Sequence, residues 1–229
     1  MIVSSVVKEQ FEKAAPKSSP KKPRLNEKTK LRAYSNRLEK DDLLEFLELK
    51  SHCREGEDLS DLRISKSRFS GDMFLGCKLD GSSFEDTVFE GCDLSNSSLM
   101  STGFIRCEFR NCKLIGASFV ESFFDNVTVA SCNFSMSSFS HSRWKNVACS
   151  SSDFSSSDMS EMQLAQTSIL DCNLKNASVF RTSLMGIDLT SSRIVGIVIS
   201  DSMDEIKGAK INLFQAADFV RKLGVLLAD

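Results

Sequence analysis

Every fifth residue of this chain is apolar over a long central stretch that begins at Leu59 and ends at Ile199. The series has 29 members without an exception and opens with Leu59, Ile64, Phe69, Phe74 and Leu79. Neither the 3.6-residue period of a helix nor the two-residue period of a strand keeps such a stripe on one face. The chain must therefore turn a corner in each five-residue unit and coil around an axis toward which these residues point.

A second inward series stands two positions before the first, and 23 of its 29 members are Ala, Ser, Thr, Cys or Val. Cysteine in such a position packs as a small apolar residue. The chain has no CxxC pair, and His52 and His141 are its only histidines, so we expect no metal site, no cofactor and no catalytic residue. Six of the eight cysteines belong to the second series: Cys77, Cys92, Cys107, Cys112, Cys132 and Cys172.

The composition, 41% hydrophobic and 26% charged, is typical of a globular protein. The longest apolar runs, such as residues 225–228, are far too short to cross a bilayer, and no apolar signal-peptide core precedes Lys8. We therefore expect no membrane span and a cytoplasmic location.

The net charge of −2 hides an asymmetry along the chain. Residues 1–56 hold 13 Lys and Arg against 9 Asp and Glu, residues 57–205 hold 12 against 20, and residues 206–229 hold 4 against 2. Residues 13–37 are polar, basic and interrupted by Pro16, Pro20 and Pro23, which predicts that residues 1–38 form a basic flexible arm rather than a packed element. Such an arm either binds a partner or nucleic acid, or is simply a solvated tail.

A short capping helix is predicted within residues 39–56. Asp41 and Asp42 place acidic side chains in its first turn, and Leu43, Leu44 and Leu47 lie on one side.

The repeating unit is a small residue, a polar residue, Leu or Phe, and two polar residues, as in Cys92-Asp93-Leu94-Ser95-Asn96. This pattern resembles the pentapeptide-repeat family and covers residues 57–201 without an insertion. The resemblance implies an all-β fold, a right-handed quadrilateral parallel β-helix with four units per coil and about seven coils. At a strand spacing of about 4.8 Å the rod is roughly 35 Å long.

Four units per coil bring residues 20 apart into register. Cys92, Cys112 and Cys132 are then expected to stack in successive coils. The same holds for an interior aromatic column, Phe84, Phe104, Phe124 and Trp144. Cys149 takes a position where Phe or Leu is the rule.

Residues 202–229 are predicted to close the coil and to pair two chains. The pattern indicates a helix with Asn212 as its cap, Gln215 three residues later, an apolar face of Ala216, Phe219, Val220 and Leu223, and Gly224 as terminator. The segment resembles the C-terminal helix of bacterial pentapeptide-repeat proteins, including the Qnr-like group, in which it joins two chains head to head. The candidate homodimer contacts implied are Phe214, Phe219, Val225, Leu226 and Leu227; a monomeric cap built from the same residues is the alternative.

One side of the coil is acidic. The units centred on Leu59, Leu79 and their equivalents carry 8 acidic against 2 basic residues. Such a face repels nucleic acid and attracts a basic partner, so we expect no direct nucleic-acid binding by the rod. The candidate partner-binding residues are Asp58, Asp61, Asp80, Glu121, Asp158, Glu161 and Asp201.

The resemblance to the Qnr-like group implies a function without catalysis. Members of that group present the rod as a DNA mimic to type II topoisomerases, gyrase and topoisomerase IV, and modulate them or protect them from quinolones. The alternative is a structural or scaffold protein that recruits an unrelated partner through the basic arm.

Overall fold

The computed structural model describes residues 15–25, 32–33, 43–222 and 224–226. Within these residues the chain forms a parallel β-solenoid closed by one α-helix, α1, at Leu213–Lys222. The strands are β1 Arg32–Ala33, β2 Leu43–Glu45, β3 Leu47–Lys50, β4 Cys53–Glu55, β5 Arg63–Ser65, β6 Arg68–Ser70, β7 Met73–Leu75, β8 Ser83–Glu85, β9 Val88–Glu90, β10 Gly103–Ile105, β11 Glu108–Arg110, β12 Phe123–Ala130, β13 Arg143–Ser150, β14 Gln163–Ala165 and β15 Ser168–Leu170.

Successive coils pair in parallel at a register of 20 residues. Phe104 in β10 lies between Phe84 in β8 and Phe124 in β12. The same step joins the strands from β2 to β15, so each of these coils contains four five-residue units, whereas the pairing at the C-terminal end, Asp188 with Lys210, is 22 residues apart. The predicted fold class, a pentapeptide-repeat β-helix, is confirmed.

Four walls result, which we name after their first central residues: the Leu59, Ile64, Phe69 and Phe74 walls. Most strands lie in the Ile64 and Phe69 walls, and β12 and β13 continue from one to the other around the corner. The Leu59 and Phe74 walls are built mainly of single bridges and tight turns, such as Ser82 N–H to the Leu79 carbonyl at 3.3 Å.

The corners depend on left-handed backbone. The last residue of most units has a positive φ, as at Asp61 (64°) and Glu121 (59°). A residue with left-handed backbone changes the direction of an otherwise extended chain. One such residue per unit therefore produces the bend between walls.

The interior is a stack of side chains from the five-residue series. Phe84, Phe104, Phe124 and Trp144 follow one another with ring centroids 5.4, 4.9 and 5.5 Å apart, as predicted. All seven cysteines in the two inward series are buried, and the Cys112 N–H lies 3.4 Å from Cys132 Sγ in the next coil. Burial raises the pKa of the Cys107 thiol to about 12.

The predicted N-terminal capping helix is wrong. Leu43–Glu45 and Leu47–Lys50 are strands that pair with β5 and β6 of the following coil. Leu44 and Leu49 continue the five-residue series below Leu59, and Leu49 is fully buried. Pairing with the open edge of the next coil outweighs the helical spacing of the leucines. Residues 39–42 of the prediction lie outside the described residues.

Part of the predicted flexible arm is packed on the rod, which corrects the expectation for residues 15–25. We call these residues the strap. It follows the corner between the Ile64 and Phe69 walls, where Lys21 N–H donates to Asn126 Oδ1 at 3.1 Å and Arg24 N–H to Asp86 Oδ1 at 3.0 Å. Further on, β1 pairs with β3. The other residues of the predicted arm lie outside the described part of the chain.

The C-terminal helix has the predicted cap. Asn212 Oδ1 accepts the Gln215 N–H at 3.0 Å, and Gln215 Oε1 accepts the Asn212 N–H at 2.8 Å. Gly224 follows the helix with a φ of 76°. Leu223 lies outside the described residues. Reciprocal side-chain bonds at the first turn satisfy donors that a helix otherwise leaves open.

Candidate acidic binding face

Six of the seven acidic residues predicted as a binding face belong to units of the Leu59 wall or to its corner, and Asp201 follows the last bridge of that wall. An unbroken ladder of parallel bridges runs up the Leu59 wall through Asp58, Lys78, Ser98, Ser118, Ser138, Asp158, Ser178 and Val198. The other predicted acids belong to the same units as members of this ladder. We call Asp58, Asp61, Asp80, Glu121, Asp158, Glu161 and Asp201 the acidic face.

The acidic face has two charged ends and a neutral middle. The bridge ladder takes seven steps from Asp58 to Val198, which corresponds to about 34 Å at the spacing of β-strands, and Asp201 follows Val198 where the 20-residue register stops. Between the ends, Glu121 is the one acid, and the bridge positions are occupied by Ser98, Ser118 and Ser138.

Several of these carboxylates also hold the wall together. Asp80 accepts the Met100 N–H at 2.9 Å and the Ser98 hydroxyl, and Asp158 accepts the Ser160 N–H at 3.0 Å. These bonds join a residue to its own unit or to the next coil. Sequence alone did not show them, because the partner belongs to a neighbouring coil or depends on the turn geometry.

Glu161 is partly neutralised by its neighbours. His141 Nδ1 lies 3.6 Å from Glu161 Oε2, and Arg181 Nη1 lies 3.6 Å from Oε1. All three occupy the same corner in consecutive coils and have positive φ angles. The corner position points their side chains away from the wall into solvent.

A cleft of about 410 Å³ lies at the C-terminal end of the acidic face. Its lining includes Phe180, Arg181, Ser200 and Asp204, with the Arg181 guanidinium 5.0 Å from the centre of the Phe180 ring. Asp204 is exposed, and hydrogen bonds from Lys207 and Ser202 hold its pKa below the usual range. Asp204 and Arg181 were not among the predicted site residues, although both adjoin the charged end.

The predicted dimer residues do not share one environment. Phe214 is 87% exposed and Leu226 is 97% exposed, and Leu213 beside Phe214 is also exposed. Val225 is exposed, whereas Phe219 is buried at 7% and packs into the core of its own chain. Leu227 lies outside the described residues. The exposed members flank α1, with Phe214 at its start and Val225 and Leu226 after its end.

No group of three or more His, Cys, Asp or Glu side chains suited to a metal ion occurs in the described part of the chain. Over the same residues, no helix is long and apolar enough to cross a membrane.

Comparison with known proteins finds a family match in the central coils. The family profile described as pentapeptide repeat region matches residues 82–153. The sequence matches none of the curated proteins with which it was compared. The match lies within the stretch that carries the five-residue pattern.

The fold is similar to that of one solved structure, and two further solved structures match less well. A trypsin-treated variant of QnrB1, a plasmid-mediated fluoroquinolone resistance protein, is 19% identical over 86% of this chain and 96% of that chain, with a TM-score of 0.51. Full-length QnrB1 is 17% identical over 78% and 100%, with a TM-score of 0.35. HetL of the cyanobacterium Nostoc, involved in heterocyst differentiation regulation, is 13% identical over 73% and 86%, with a TM-score of 0.31.

Proposed function

We propose that this chain is a non-enzymatic rod that binds a type II topoisomerase, gyrase or topoisomerase IV, through the acidic face, in place of DNA. The observation that carries the proposal is the bridge ladder of the Leu59 wall, which holds Asp58 and Asp158, together with the acidic residues in the same five-residue units. A basic groove that binds duplex DNA attracts the carboxylates of such a wall by the same charge–charge attraction that it exerts on DNA phosphates.

The dimensions of the acidic face support this proposal. Its charged ends are about 34 Å apart, close to one helical turn of duplex DNA. The fold likeness to QnrB1, a fluoroquinolone resistance protein, supports an activity that involves quinolones. Modulation or protection of the topoisomerase in the presence of a quinolone is therefore the activity we propose.

The proposal is tested by the supercoiling of relaxed plasmid by gyrase, with and without a fluoroquinolone, titrated with the protein. We expect inhibition without the drug or restored supercoiling with it. Changing Asp158→Asn and Glu161→Gln removes two charges from the acidic face, and the concentration needed for half the effect should rise about tenfold. Asn at 158 retains an oxygen that accepts the Ser160 N–H.

The matched control changes Glu55→Gln and Asp171→Asn. Both residues are exposed on other parts of the solenoid, so the net charge changes equally while the acidic face is preserved. Equal loss in both double variants, or no effect of the wild type on gyrase and topoisomerase IV, would contradict the proposal.

A scaffold that acts through its basic N-terminal region is the second candidate. It is favoured by the strap, whose basic side chains are exposed along the rod. Deleting the whole arm would also remove β1 and the strap contacts. Changing Lys17, Lys21, Lys22 and Arg24 to Gln tests this candidate without that loss. If the scaffold candidate is right, this variant loses partner binding, whereas the Asp158→Asn and Glu161→Gln variant keeps it.

A further inference from the structure

The strap presents its polar side chains to solvent and its prolines to the rod. Pro16, Pro20 and Pro23 are half-buried. The residues between and after them are exposed: Lys17, Ser18, Ser19, Lys21, Lys22 and Arg24. Two adjacent serines are therefore accessible, and only Ser19 is followed by a proline.

Ser19-Pro20 is the only Ser-Pro or Thr-Pro pair in the chain, and Lys21 and Lys22 follow it directly. Some kinases act on a serine that precedes proline. The active site of such a kinase offers no hydrogen-bond acceptor to the backbone nitrogen of the substrate residue that follows the serine. An N–H buried there without a partner is costly, and proline has none to bury. We infer that Ser19 is a phosphorylation site for a proline-directed serine/threonine kinase.

The docked strap leaves Ser19 accessible to a kinase. A kinase takes its substrate as an extended segment, and residues 15–25 include neither helix nor strand that would have to unfold. The two hydrogen bonds from strap N–H groups to the rod come from Lys21 and Arg24, both after Ser19. Pro20 also restricts Ser19 to extended backbone. The segment around Ser19 can therefore lift from the rod while the remainder of the strap stays bound.

The reaction transfers the γ-phosphoryl group of ATP. The Ser19 Oγ–P bond forms as the bond from the γ-phosphorus to the bridging oxygen breaks, and ADP leaves with that oxygen. The hydroxyl proton passes to the catalytic aspartate of the kinase.

The surroundings of Ser19 accommodate the added charge. Between strap and rod lies a cleft of about 290 Å³, and its lining includes Lys17, Gln166 and Ser168 and, among the described residues, no carboxylate. Lysine, amide and hydroxyl donors can each bond a phosphate oxygen. A phosphate adds about two negative charges and would offset half of the four cations on the strap.

The test treats the full chain with ATP and a cyclin-dependent kinase and locates the product by peptide mass spectrometry. We expect one phosphate per chain, on Ser19. Ser19→Ala should lose it, and Pro20→Ala should slow incorporation at least about tenfold. Ser18→Ala is the matched control, because Ser18 is equally exposed, is adjacent in sequence and lacks a following proline; it should be phosphorylated at the wild-type rate.

Three results would overturn the inference. They are an unmodified wild type, a phosphate on Ser18 in place of Ser19, and an unchanged rate for Pro20→Ala, which would mean that the kinase reads only the neighbouring lysines.

Discussion

At the scale of single residues, Glu205 replaces the missing next coil. Its Oε1 accepts the backbone N–H of Arg181 at 2.9 Å and of Ser200 at 3.2 Å, and Oε2 accepts the Ser200 hydroxyl at 2.8 Å. The residue is 3% exposed. Burial alone would raise its pKa, but these hydrogen bonds leave the pKa of Glu205 below the usual value of 4.5. A depressed pKa means that the carboxylate stabilises the folded state while it is charged.

Changing Glu205→Gln should lower the free energy of unfolding by about 1 kcal/mol at neutral pH, because bonds to a charged acceptor become bonds to a neutral one. The wild type holds this advantage above its unfolded-state pKa and loses it as pH falls through the lower folded-state pKa. The difference between wild type and variant should therefore shrink on acidification, measured by urea denaturation at about pH 7 and about pH 3. Asp201→Asn, an exposed change of equal charge, should show little difference at either pH; a Glu205→Gln effect that is constant with pH would contradict the assignment.

Single residues also show what the sequence can and cannot reveal. The five-residue register placed Asp58, Asp158 and Asp201 on one wall, because a period of 20 decides the wall. It could not show that Asp80 bonds the next coil or that Glu161 lies between His141 and Arg181, since those contacts depend on side-chain positions across coils. The sequence pattern predicted Phe219 as a dimer contact. Its side chain is instead buried in the cap, as part of the core of its own chain.

At the scale of elements, α1 closes the rod through Gln215. Its Nε2 donates to the carbonyls of Leu189 at 2.8 Å and Ser192 at 2.7 Å. Asn212 Nδ2 donates to the Thr190 carbonyl at 3.0 Å. These carbonyls lie in the final coil, which has no following coil to bond them. The cap therefore satisfies backbone acceptors as well as covering apolar side chains.

The change Gln215→Ala should destabilise the cap by about 2 to 4 kcal/mol, because the Ser192 carbonyl and the Asn212 N–H lose this partner and the Leu189 carbonyl keeps only the bond from the Ser192 N–H. Hydrogen exchange should quicken first in residues 184–222 and leave the central coils protected, since repeats depend mainly on their neighbours. Gln163→Ala, the same change on an exposed strand position, should alter stability by less than about 0.5 kcal/mol. Uniform loss of protection along the rod would show that the cap and coils unfold as one unit.

Two elements show where sequence reasoning stopped. The leucines of residues 43–49 fit both a helical pattern and the five-residue pattern. They form strands of the five-residue pattern because the edge of the adjoining coil is available for pairing. In the strap, the prolines were interpreted as breakers of regular structure. The prolines do interrupt regular structure, but they are also half-buried against the rod. No local sequence pattern indicates that burial.

At the scale of the whole molecule, the C-terminal segment exposes Leu213 and Phe214 at the start of α1 and Leu226 after its end. Exposed apolar side chains favour association, and a second copy related by a two-fold axis would cover them on both chains. We propose that two chains pair there, end to end. Such a dimer would carry two acidic faces on one elongated particle.

The double change Phe214→Asp and Leu226→Asp should convert a dimer into a monomer, measured by sedimentation equilibrium over a range of protein concentrations. The control is Met136→Asp, which alters an exposed apolar residue on the side of the rod. A wild type that stays monomeric at all concentrations, or a double variant that remains dimeric, would contradict end-to-end pairing.

The 20-residue register sets how this molecule can vary in length. Duplication of a full coil inserts 20 residues, adds about 4.8 Å and leaves every downstream side chain on its original wall. Duplication of one unit inserts five residues and rotates everything after it by a quarter turn. An inserted unit near residue 110 would therefore separate Asp158, Glu161 and Asp201 from Asp58 and Asp61 by a right angle, dividing one continuous surface into two without removing a single charge or unfolding a coil.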